Sequence, residues 1–433
     1  MNHSKEISWH EPQEFATKII DNYQLHHPID SFVFLHSALT STTENLTSYL
    51  ALFSKEKLIT NDFYYAKTTI TNSCDKWFGY IGYEVARQFE NFHETNQSLI
   101  ETDLIHFEKF HLVLEFDHFN KKILAIFDDQ KYLNLILNYF SNQFSDPKIP
   151  KINQISSNFS DQQFIETINQ LRTSIADGDL FQANITRKFY GDFNQTISLT
   201  QALKIMIEHQ KLSKTNYYAL LKFDQLITIC ASPELFCKLE NKKAMSIPIK
   251  GTAMRSSDHV EDQKLKTQLQ NSNKEQAENL MIVDLVRNDL SRVCEIGSVI
   301  VEELFKVSTY QNIHHLSSQI SGKLFDNSNN FDLLLALFPA GSMTGAPKVK
   351  AMDLIAKLEK LNRGIYSGAI GLIEADNFLN LAVVIRTLVI QNQKFEMQFG
   401  SGITYNSIAK NELQESYQKA KTWFEVLKLN FKF

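Results

Sequence analysis

Hydrophobic positions recur at strand-like intervals early in the chain and at helix-like intervals after residue 158. Four apolar residues there have spacings of four, three and four, which place them on one face of an α-helix: Phe164, Ile168, Leu171 and Ile175. Ser160 is a good N-cap, Gln163 completes a capping box, and Gly178 stands where the helix should end. The pattern therefore predicts a helix between Ser160 and Gly178.

Alternation of apolar and polar residues follows this helix and predicts a half-buried strand through Phe181, Ala183 and Ile185. Similar patterns predict strands at 216–240, 243–249, 297–306, 367–374, 379–390 and 395–404, and helices at 260–290, 331–337, 346–360 and 408–429. Because the strand pairs are separated by helices without a regular strand–helix–strand alternation, we expect an α+β fold with mixed or antiparallel sheets.

A polar segment divides the chain. Residues 141–160 are rich in Ser, Asn, Gln, Asp and Lys and include Pro147 and Pro150. Short strand-like runs precede the segment, whereas the long helices and most chemically suggestive residues follow it. We therefore predict an N-terminal part at 1–145 and a second region at 158–428.

The composition narrows the class of protein. The net charge of −5 gives no basic footprint for nucleic acid or for an anionic membrane surface. A small anionic substrate remains possible, because its binding depends on local basic groups. The longest uninterrupted apolar run, residues 333–338, is too short to span a bilayer, and the first residues lack the apolar core of a signal peptide.

The four cysteines are scattered and form no Cys-x-x-Cys pair, so neither a zinc site nor a disulfide framework is indicated. Reduced, buried thiols are the simpler reading of these residues. We expect a cytoplasmic protein.

Two features could bind an anion. Arg386 lies within an apolar stretch, where an unpaired charge is costly, so it is either half of a structural ion pair or a clamp on a substrate carboxylate. At Gly400, Ser401 and Gly402 the backbone could approach a ligand closely and donate successive N–H groups, although a strand-to-helix turn explains the glycines equally well.

Acidic residues suggest a cation site. Glu412, Glu415 and Lys419 share one helix face, which is ordinarily solvated but could instead look into a site. Glu278 precedes the apolar helical run 281–286, where a carboxylate needs a partner, and Mg²⁺ suits such hard oxygen ligands. Spacing alone does not establish that Glu278 and Glu415 meet.

Three further residues could perform chemistry. Lys250 precedes a glycine, and is either a surface lysine or an amine nucleophile. Glu234 follows a proline at a strand end and could act with Lys250 as an acid–base pair, or the two could be unrelated charges. His315 lies in no metal-binding spacing, and a lone histidine is usually structural.

In their order along the chain, these strings resemble the chorismate-binding enzyme family. The resemblance is dense over 158–428 and looser over 30–110. It is carried by residues 232–234, 248–252, 278, 281–289, 315–318, 338–348, 363–368 and 400–415.

The resemblance implies a large α+β body of two antiparallel sheets packed as a sandwich, with outer helices and a cleft between the sheets, and it makes 1–145 part of the same body. It implies a site for chorismate and Mg²⁺ in 158–428, with Glu278 and Glu415 as metal ligands and Glu412 beside them. It also implies substrate contacts from Thr252, Ser342, Tyr366, Arg386, Gly400, Ser401, Gly402 and Lys419, and places His315 near the departing 4-hydroxyl.

Two positions sort the reactions within the family. Members that add water carry a lysine base where this chain has Gln182, and a glutamine cannot deprotonate water. Lys250 replaces an alanine of the members that aminate carbon 2, which favours amination at carbon 4, as does Asn184. Where carbon-2 aminating members carry a glutamate at a tryptophan feedback site, this chain has His36, so we do not expect tryptophan inhibition.

The implied reaction is amination of chorismate to 4-amino-4-deoxychorismate, on the way to 4-aminobenzoate and folate. Glu234 would be the general acid and Lys250 would form a covalent intermediate at carbon 2. The alternative is amination at carbon 2 with release of pyruvate; a subunit without catalysis is disfavoured by the intact carboxylates and Lys250. No Gly-x-Cys-x-Gly glutaminase elbow occurs, so we expect ammonia from a separate glutamine amidotransferase subunit or from solution.

Overall fold

The helices and strands are taken from a computed structural model, which describes residues 3–24, 29–39, 47–93, 97–140, 146–310, 313–375 and 378–429. The helices are α1 (Pro12–Gln24), α2 (Phe63–Thr71), α3 (Gln130–Tyr139), α4 (Asp161–Ala176), α5 (Leu199–Leu212), α6 (His259–Gln270), α7 (Asn273–Ser291), α8 (Asn330–Leu337), α9 (Lys348–Glu359) and α10 (Ala409–Val426). The strands of the first half are β1 (His3–Ile7), β2 (Ser31–His36), β3 (Thr47–Thr60), β4 (Trp77–Ile81), β5 (Ile105–Asp117), β6 (Lys122–Phe127), β7 (Ile152–Ser157), β8 (Gln182–Phe193), β9 (Tyr217–Phe223) and β10 (Leu226–Ser232). Those of the second half are β11 (Leu235–Glu240), β12 (Lys243–Ile247), β13 (Ile249–Met254), β14 (Ile300–Thr309), β15 (Ile313–Lys323), β16 (Gly345–Ala346), β17 (Ala369–Glu374), β18 (Phe378–Val383), β19 (Thr387–Gln391) and β20 (Lys394–Ile403).

The strands form one antiparallel network that folds into two layers. The first layer runs β7–β8–β20–β19–β10–β9–β2–β3–β5–β6–β1, with β16 on β8. The second layer runs β4–β17–β18–β11–β12–β15. β13 pairs with the same edge of β15 as β12 does, and β14 pairs with the other edge of β15. The long strand β5 joins them, since it pairs with both β6 and β4.

Among the described residues four apolar clusters hold this arrangement together, the smallest of which packs α4 and α9 beside β8. One lies between the layers and combines Val33 and Leu221 of the first with Phe78 and Leu372 of the second. A second packs α1, α3, α5 and α10 on the outside of the first layer, and a third packs α2, α7, α8 and α9 on the second. The predicted α+β sandwich of antiparallel sheets with outer helices is confirmed.

The sequence predicted the ends of α4 correctly from its capping residues. Ser160 and Gln163 form the predicted capping box of α4, and Gly178 follows the helix with a φ of 84°. The predicted helix 260–290 is wrong in one respect, because it is two helices. Ser272 accepts the N–H of Glu275 through its side chain and starts α7 anew, since a short polar side chain competes with helical hydrogen bonding.

Two predicted strands are also interrupted. The stretch 216–240 comprises three strands, and 379–390 breaks between β18 and β19. Arg386 lies in this break with a φ of 50°, so it is not inside a strand as expected. The two strands belong to different layers, and the break is where the chain crosses between them.

The N-terminal strands are built into both layers, since β2 pairs with β9 and β4 with β17. The proposed boundary at residue 145 stays a prediction, and residues 141–145 of the polar segment lie outside the described residues. None of the helices in the described ranges is long and apolar enough to cross a membrane.

Candidate active site

Two chain segments cross side by side from one layer to the other. One joins β10 to β11 and carries Glu234, and the other joins β18 to β19 and carries Arg386. They are hydrogen-bonded to each other, because Ala231 N–H donates to Arg386 O over 3.2 Å and Val383 N–H donates to Glu234 O over 3.0 Å. The crossing brings both charged residues to the junction between the layers, where the family resemblance predicts the cleft.

A bulge in β13 sets the position of Lys250. The register against β15 shifts between Lys250 and Thr252, and the intervening Gly251 has a φ of 79°, which favours glycine. A Cβ built on Gly402 of β20 would lie 3.2 Å from Lys250 Nζ and 3.9 Å from Glu278 Oε2. The amine and this carboxylate therefore meet above one glycine of the facing strand, where any larger residue would crowd them.

Glu234 is held as a buried acid. Its side chain is 5 % exposed, and Ser342 Oγ donates to its Oε1 over 2.5 Å. Burial raises its pKa to about 7, against the lowering effects of the Ser342 hydrogen bond and of the nearby Lys250. A carboxyl group in this state is partly protonated at neutral pH and can give up or take a proton there.

His315 faces the same region. Its Nδ1 lies 2.9 Å from Thr252 Oγ1, while its buried Nε2 has no hydrogen-bond partner within the described residues. Burial and the positive charge of Arg386 lower its pKa to about 3, so the ring is neutral at physiological pH. Nε2 is therefore available to a ligand.

Arg386 was left open between a structural ion pair and a substrate clamp. Its half-buried guanidinium forms no ion pair or hydrogen bond with another described side chain. Burial lowers its pKa, while the neighbouring Tyr218 and Glu234 act in the opposite direction. Tyr366 is buried close by, and burial raises its pKa. The absence of a structural partner among the described residues favours the clamp.

The acidic residues come together between α7 and α10. Glu278 and Glu412 approach the same ammonium, since Lys274 Nζ lies 3.8 Å from Glu278 Oε1 and 4.0 Å from Glu412 Oε1. Glu415 pairs with Lys419 at 2.8 Å. The helix face carrying Glu412, Glu415 and Lys419 therefore contacts α7 and β20 instead of being fully solvated.

These carboxylates differ in their electrostatics. Burial raises the pKa of Glu278 to about 7, and the nearby Glu275 and Glu412 add to the effect. Burial also acts to raise the pKa of Glu415, but Lys419, with Lys274 and Lys250, holds the pKa below its ordinary value. Because burial disfavours the charged form of Glu278, an added cation would stabilise this carboxylate.

The glycine segment lies within β20, opposite Thr186 to Asn184 of β8, and is not a turn. A Cβ on Gly400 would lie 1.9 Å from a backbone oxygen of β8, so close strand packing already requires this glycine. Ser401 Oγ donates to Glu412 Oε2 over 2.5 Å, and Lys419 Nζ donates to Gly400 O over 2.7 Å. Pairing of β20 with β19 extends only to Met397, so among the described strands this edge has no partner at Gly400 to Gly402.

Comparison with known proteins decides the family. A family model described as chorismate binding enzyme matches residues 19–425. This chain belongs to the chorismate binding enzyme family. It is 31 % identical over 365 residues to aminodeoxychorismate synthase component 1 of Bacillus subtilis, covering 81 % of this chain and 77 % of that protein. It is 32 % identical over 370 residues to anthranilate synthase component 1 of Aquifex aeolicus, covering 81 % and 74 %.

Solved structures of chorismate binding enzymes share the fold. Anthranilate synthase component I of Streptococcus pneumoniae superposes with a TM-score of 0.79 at 29 % identity, over 88 % of this chain and 92 % of the other. The menaquinone-specific isochorismate synthase of Escherichia coli gives the same TM-score of 0.79 at 16 % identity, over 99 % and 95 %, which speaks for the fold alone.

Sequence reasoning missed two members of the site, Lys274 and Glu275. A Cβ on Gly251 would lie 2.9 Å from Glu275 Oε2, so Glu275 packs directly against the bulge after Lys250. Burial raises its pKa. The available signal was its spacing from Glu278, because residues three apart share a helix face.

Proposed function

We propose that this chorismate binding enzyme aminates chorismate at carbon 4 with ammonia and forms 4-amino-4-deoxychorismate, the activity named for its Bacillus subtilis relative. Relatives of nearly equal identity carry both this name and that of anthranilate synthase, so identity does not choose between them. The observation that carries the proposal is the amine of Lys250 in the cleft, beside the Glu234–Ser342 pair. Lys250 Nζ reaches the carbonyl oxygen of Ser342 at 3.5 Å.

In the first step the nitrogen lone pair of Lys250 attacks carbon 2 of the ring. The ring double bonds shift, the bond from carbon 4 to its hydroxyl breaks, and the hydroxyl leaves as water with a proton from Glu234. Burial gives Glu234 the pKa near neutrality that a general acid needs. Neutral His315 is suited to hydrogen-bond the departing oxygen through its unpartnered Nε2.

In the second step ammonia attacks carbon 4. The double bonds shift back, the bond between carbon 2 and the Lys250 nitrogen breaks, and Lys250 leaves as a neutral amine. The product carries the extra proton on its new ammonium, and that proton or one from solvent restores Glu234. Two displacements place the new amine at the carbon that lost the hydroxyl.

Substrate carboxylates would be bound by the cleft's unpaired cation. Arg386 offers a planar guanidinium without a protein partner in the described residues, which matches a carboxylate in geometry and charge. We assign it to the enolpyruvyl side chain, together with Tyr366, Lys419 and the open edge of β20. Thr252 and Ser342 add hydroxyl contacts.

Mg²⁺ is part of the proposal because the acidic residues fit it. Glu278 Oε1 is buried without a hydrogen-bond partner in the described part of the chain, and burial disfavours the charged form of this carboxylate. No group of three or more His, Cys, Asp or Glu side chains in that part is arranged to hold a metal by itself. Mg²⁺ commonly binds through one or two carboxylates plus water and substrate oxygens, so Glu278 and Glu415, with Glu412 beside them, suffice. Bound there, it would neutralise the ring carboxylate.

Ammonia would come from a separate glutamine amidotransferase subunit, and we place the reaction in the cytoplasm. The test is product analysis. The purified chain with chorismate, Mg²⁺ and ammonium should yield a product that retains the enolpyruvyl group and that a 4-amino-4-deoxychorismate lyase converts to 4-aminobenzoate. Formation of anthranilate and pyruvate would support the alternative, amination at carbon 2.

A further inference from the structure

The backbone of Arg386 is held in an unfavourable conformation. Its φ of 50° lies in the left-handed region, which residues with a Cβ rarely adopt. Arg386 is also the point where the chain passes between the layers, after β18 and before β19. Since neighbouring structure must impose such a conformation, the groups that bind this peptide determine where the guanidinium points.

Two donors from different elements bind the carbonyl oxygen of Arg386. Ala231 N–H donates to it from the end of β10 over 3.2 Å. Trp423 donates its indole N–H to the same oxygen over 3.1 Å from α10. Trp423 is fully buried, and its indole N–H is the side-chain donor to this oxygen.

The ring of Trp423 is held in place by His209 and Tyr218. The ring of His209 packs on it with centroids 4.3 Å apart. His209 Nδ1 lies 2.8 Å from the hydroxyl oxygen of Tyr218, whose own hydrogen is donated to Ser213 O, so Nδ1 carries the proton and donates. The indole is thus held by a neutral, hydrogen-bonded histidine in the core of the first layer.

We propose that Trp423 is a positioning residue for substrate binding, which holds Arg386 in its left-handed conformation so that the guanidinium faces the substrate carboxylate. The inference rests on the proposed role of Arg386 as the clamp. Among the described residues, the indole N–H of Trp423 bonds to the Arg386 backbone and its ring packs in the core, so we expect its effect on substrate binding to pass through Arg386.

The test is Trp423→Phe, which keeps an aromatic ring and removes the N–H. The KM for chorismate should rise on the order of 10-fold, because a misplaced binding group loses affinity, while kcat changes less. Trp77→Phe is the matched control, since Trp77 is equally buried but its indole N–H has no hydrogen-bond partner in the described residues. It should lower thermal stability without changing the KM.

A double-mutant cycle separates positioning from general destabilisation. The dissociation constant of chorismate is measured by calorimetry with Mg²⁺ and without ammonia, in a Lys250→Ala background that blocks chemistry. Trp423→Phe should weaken binding when Arg386 is present and have no further effect after Arg386→Ala. An equal loss in both backgrounds, or no loss in either, would overturn the inference.

Should Trp423→Phe fail to fold, 3-benzothienylalanine at position 423 keeps the indole shape and removes only the donor, and wild-type binding by that protein would also overturn the inference. The outcome is independent of the reaction's regiochemistry. A wild-type enzyme that forms anthranilate would contradict the proposed function, whereas the binding cycle would still report on Trp423.

Discussion

Ser342 and Glu234 are 108 positions apart in the sequence, yet Ser342 Oγ donates a hydrogen bond of 2.5 Å to Glu234 Oε1. Ser342 belongs to a short helical turn after α8, and Glu234 to the crossing between the layers. Because the hydroxyl stabilises the charged form of Glu234, it opposes the effect of burial on the pKa of this acid.

Ser342→Ala should therefore move the pH dependence of the reaction. Without the hydroxyl the pKa of Glu234 rises, so the acid stays protonated to higher pH. The basic limb of the kcat/KM profile should shift upward, measured at constant free ammonia. Ser246→Ala is the control, since this buried hydroxyl donates to a backbone oxygen instead of to Glu234. An unchanged or downward-shifted limb would argue against Glu234 as the acid.

Glu234→Gln should lower the activity and raise the stability of the folded protein at alkaline pH. The folded protein keeps the proton on Glu234 up to about pH 7, whereas an unfolded glutamate releases it near its ordinary pKa of 4.5. Glu234 therefore contributes full stability below about pH 4.5 and loses that contribution as the pH rises through 7. The loss is on the order of 3 kcal/mol, since one pKa unit corresponds to about 1.4 kcal/mol.

Glutamine does not titrate, so Glu234→Gln should unfold at a higher temperature than wild type at pH 8 and show little advantage at pH 4.5. Its kcat should fall by roughly 100-fold or more. Calorimetry at both pH values measures the first effect, with the exposed Glu240→Gln as control. A variant that gains nothing at pH 8 would contradict the buried-acid assignment.

The sequence predicted best what is encoded locally or in long motifs. The capping box of α4 needs only Ser160 and Gln163, which are three residues apart, and the sandwich followed from family motifs. Features that depend on distant chain segments were missed. The split at Ser272 is a competition between a side-chain cap and a continued helix, and Arg386 is left-handed because the chain changes layers there.

The same distinction applies to the candidate site. Residue types pointed to Glu278 and Lys250, but no spacing relates them to Gly402, where the structure brings them together. Lys274 escaped notice because an exposed lysine four residues before a glutamate is ordinary in a helix, and only the fold brings Glu412 of α10 to the same ammonium.

Removal of metal should stop turnover. EDTA should abolish activity and Mg²⁺ restore it, and the double variant Glu278→Ala, Glu415→Ala should lose the Mg²⁺ response. Calorimetric titration with Mg²⁺ gives a readout besides activity. Glu425→Gln, an exposed position on α10, should titrate as wild type. Full activity of the double variant in chelator would rule out the assigned ligands.

The purified chain should use ammonium and ignore glutamine. No glutaminase elbow occurs in the sequence. Free ammonia increases with pH while Glu234 loses its proton around pH 7, so at a fixed total ammonium concentration the rate should rise with pH up to about 7 and then level off. Product formation with glutamine as the sole nitrogen source, by the chain alone, would contradict a separate amidotransferase subunit.

Lys250→Ala distinguishes amination at carbon 4 from amination at carbon 2. In the proposed reaction the Lys250 amine occupies carbon 2, which bars ammonia from that carbon and leaves carbon 4 as the electrophile. Removing the amine should slow the reaction on the order of 100-fold or more. It should also leave carbon 2 open to attack by ammonia, so the variant should form some of the product aminated at carbon 2. Because the proposal assigns substrate binding to Arg386 and the metal, KM for chorismate should change less than kcat. Lys274→Ala, which alters another lysine near Glu278, should not change the product ratio.

Wild type incubated with chorismate and no ammonia should show an adduct on the Lys250 peptide by mass spectrometry. If that adduct never forms and Lys250→Ala makes 4-amino-4-deoxychorismate at the wild-type rate, Lys250 is not the nucleophile, and the case for amination at carbon 4 loses its mechanism.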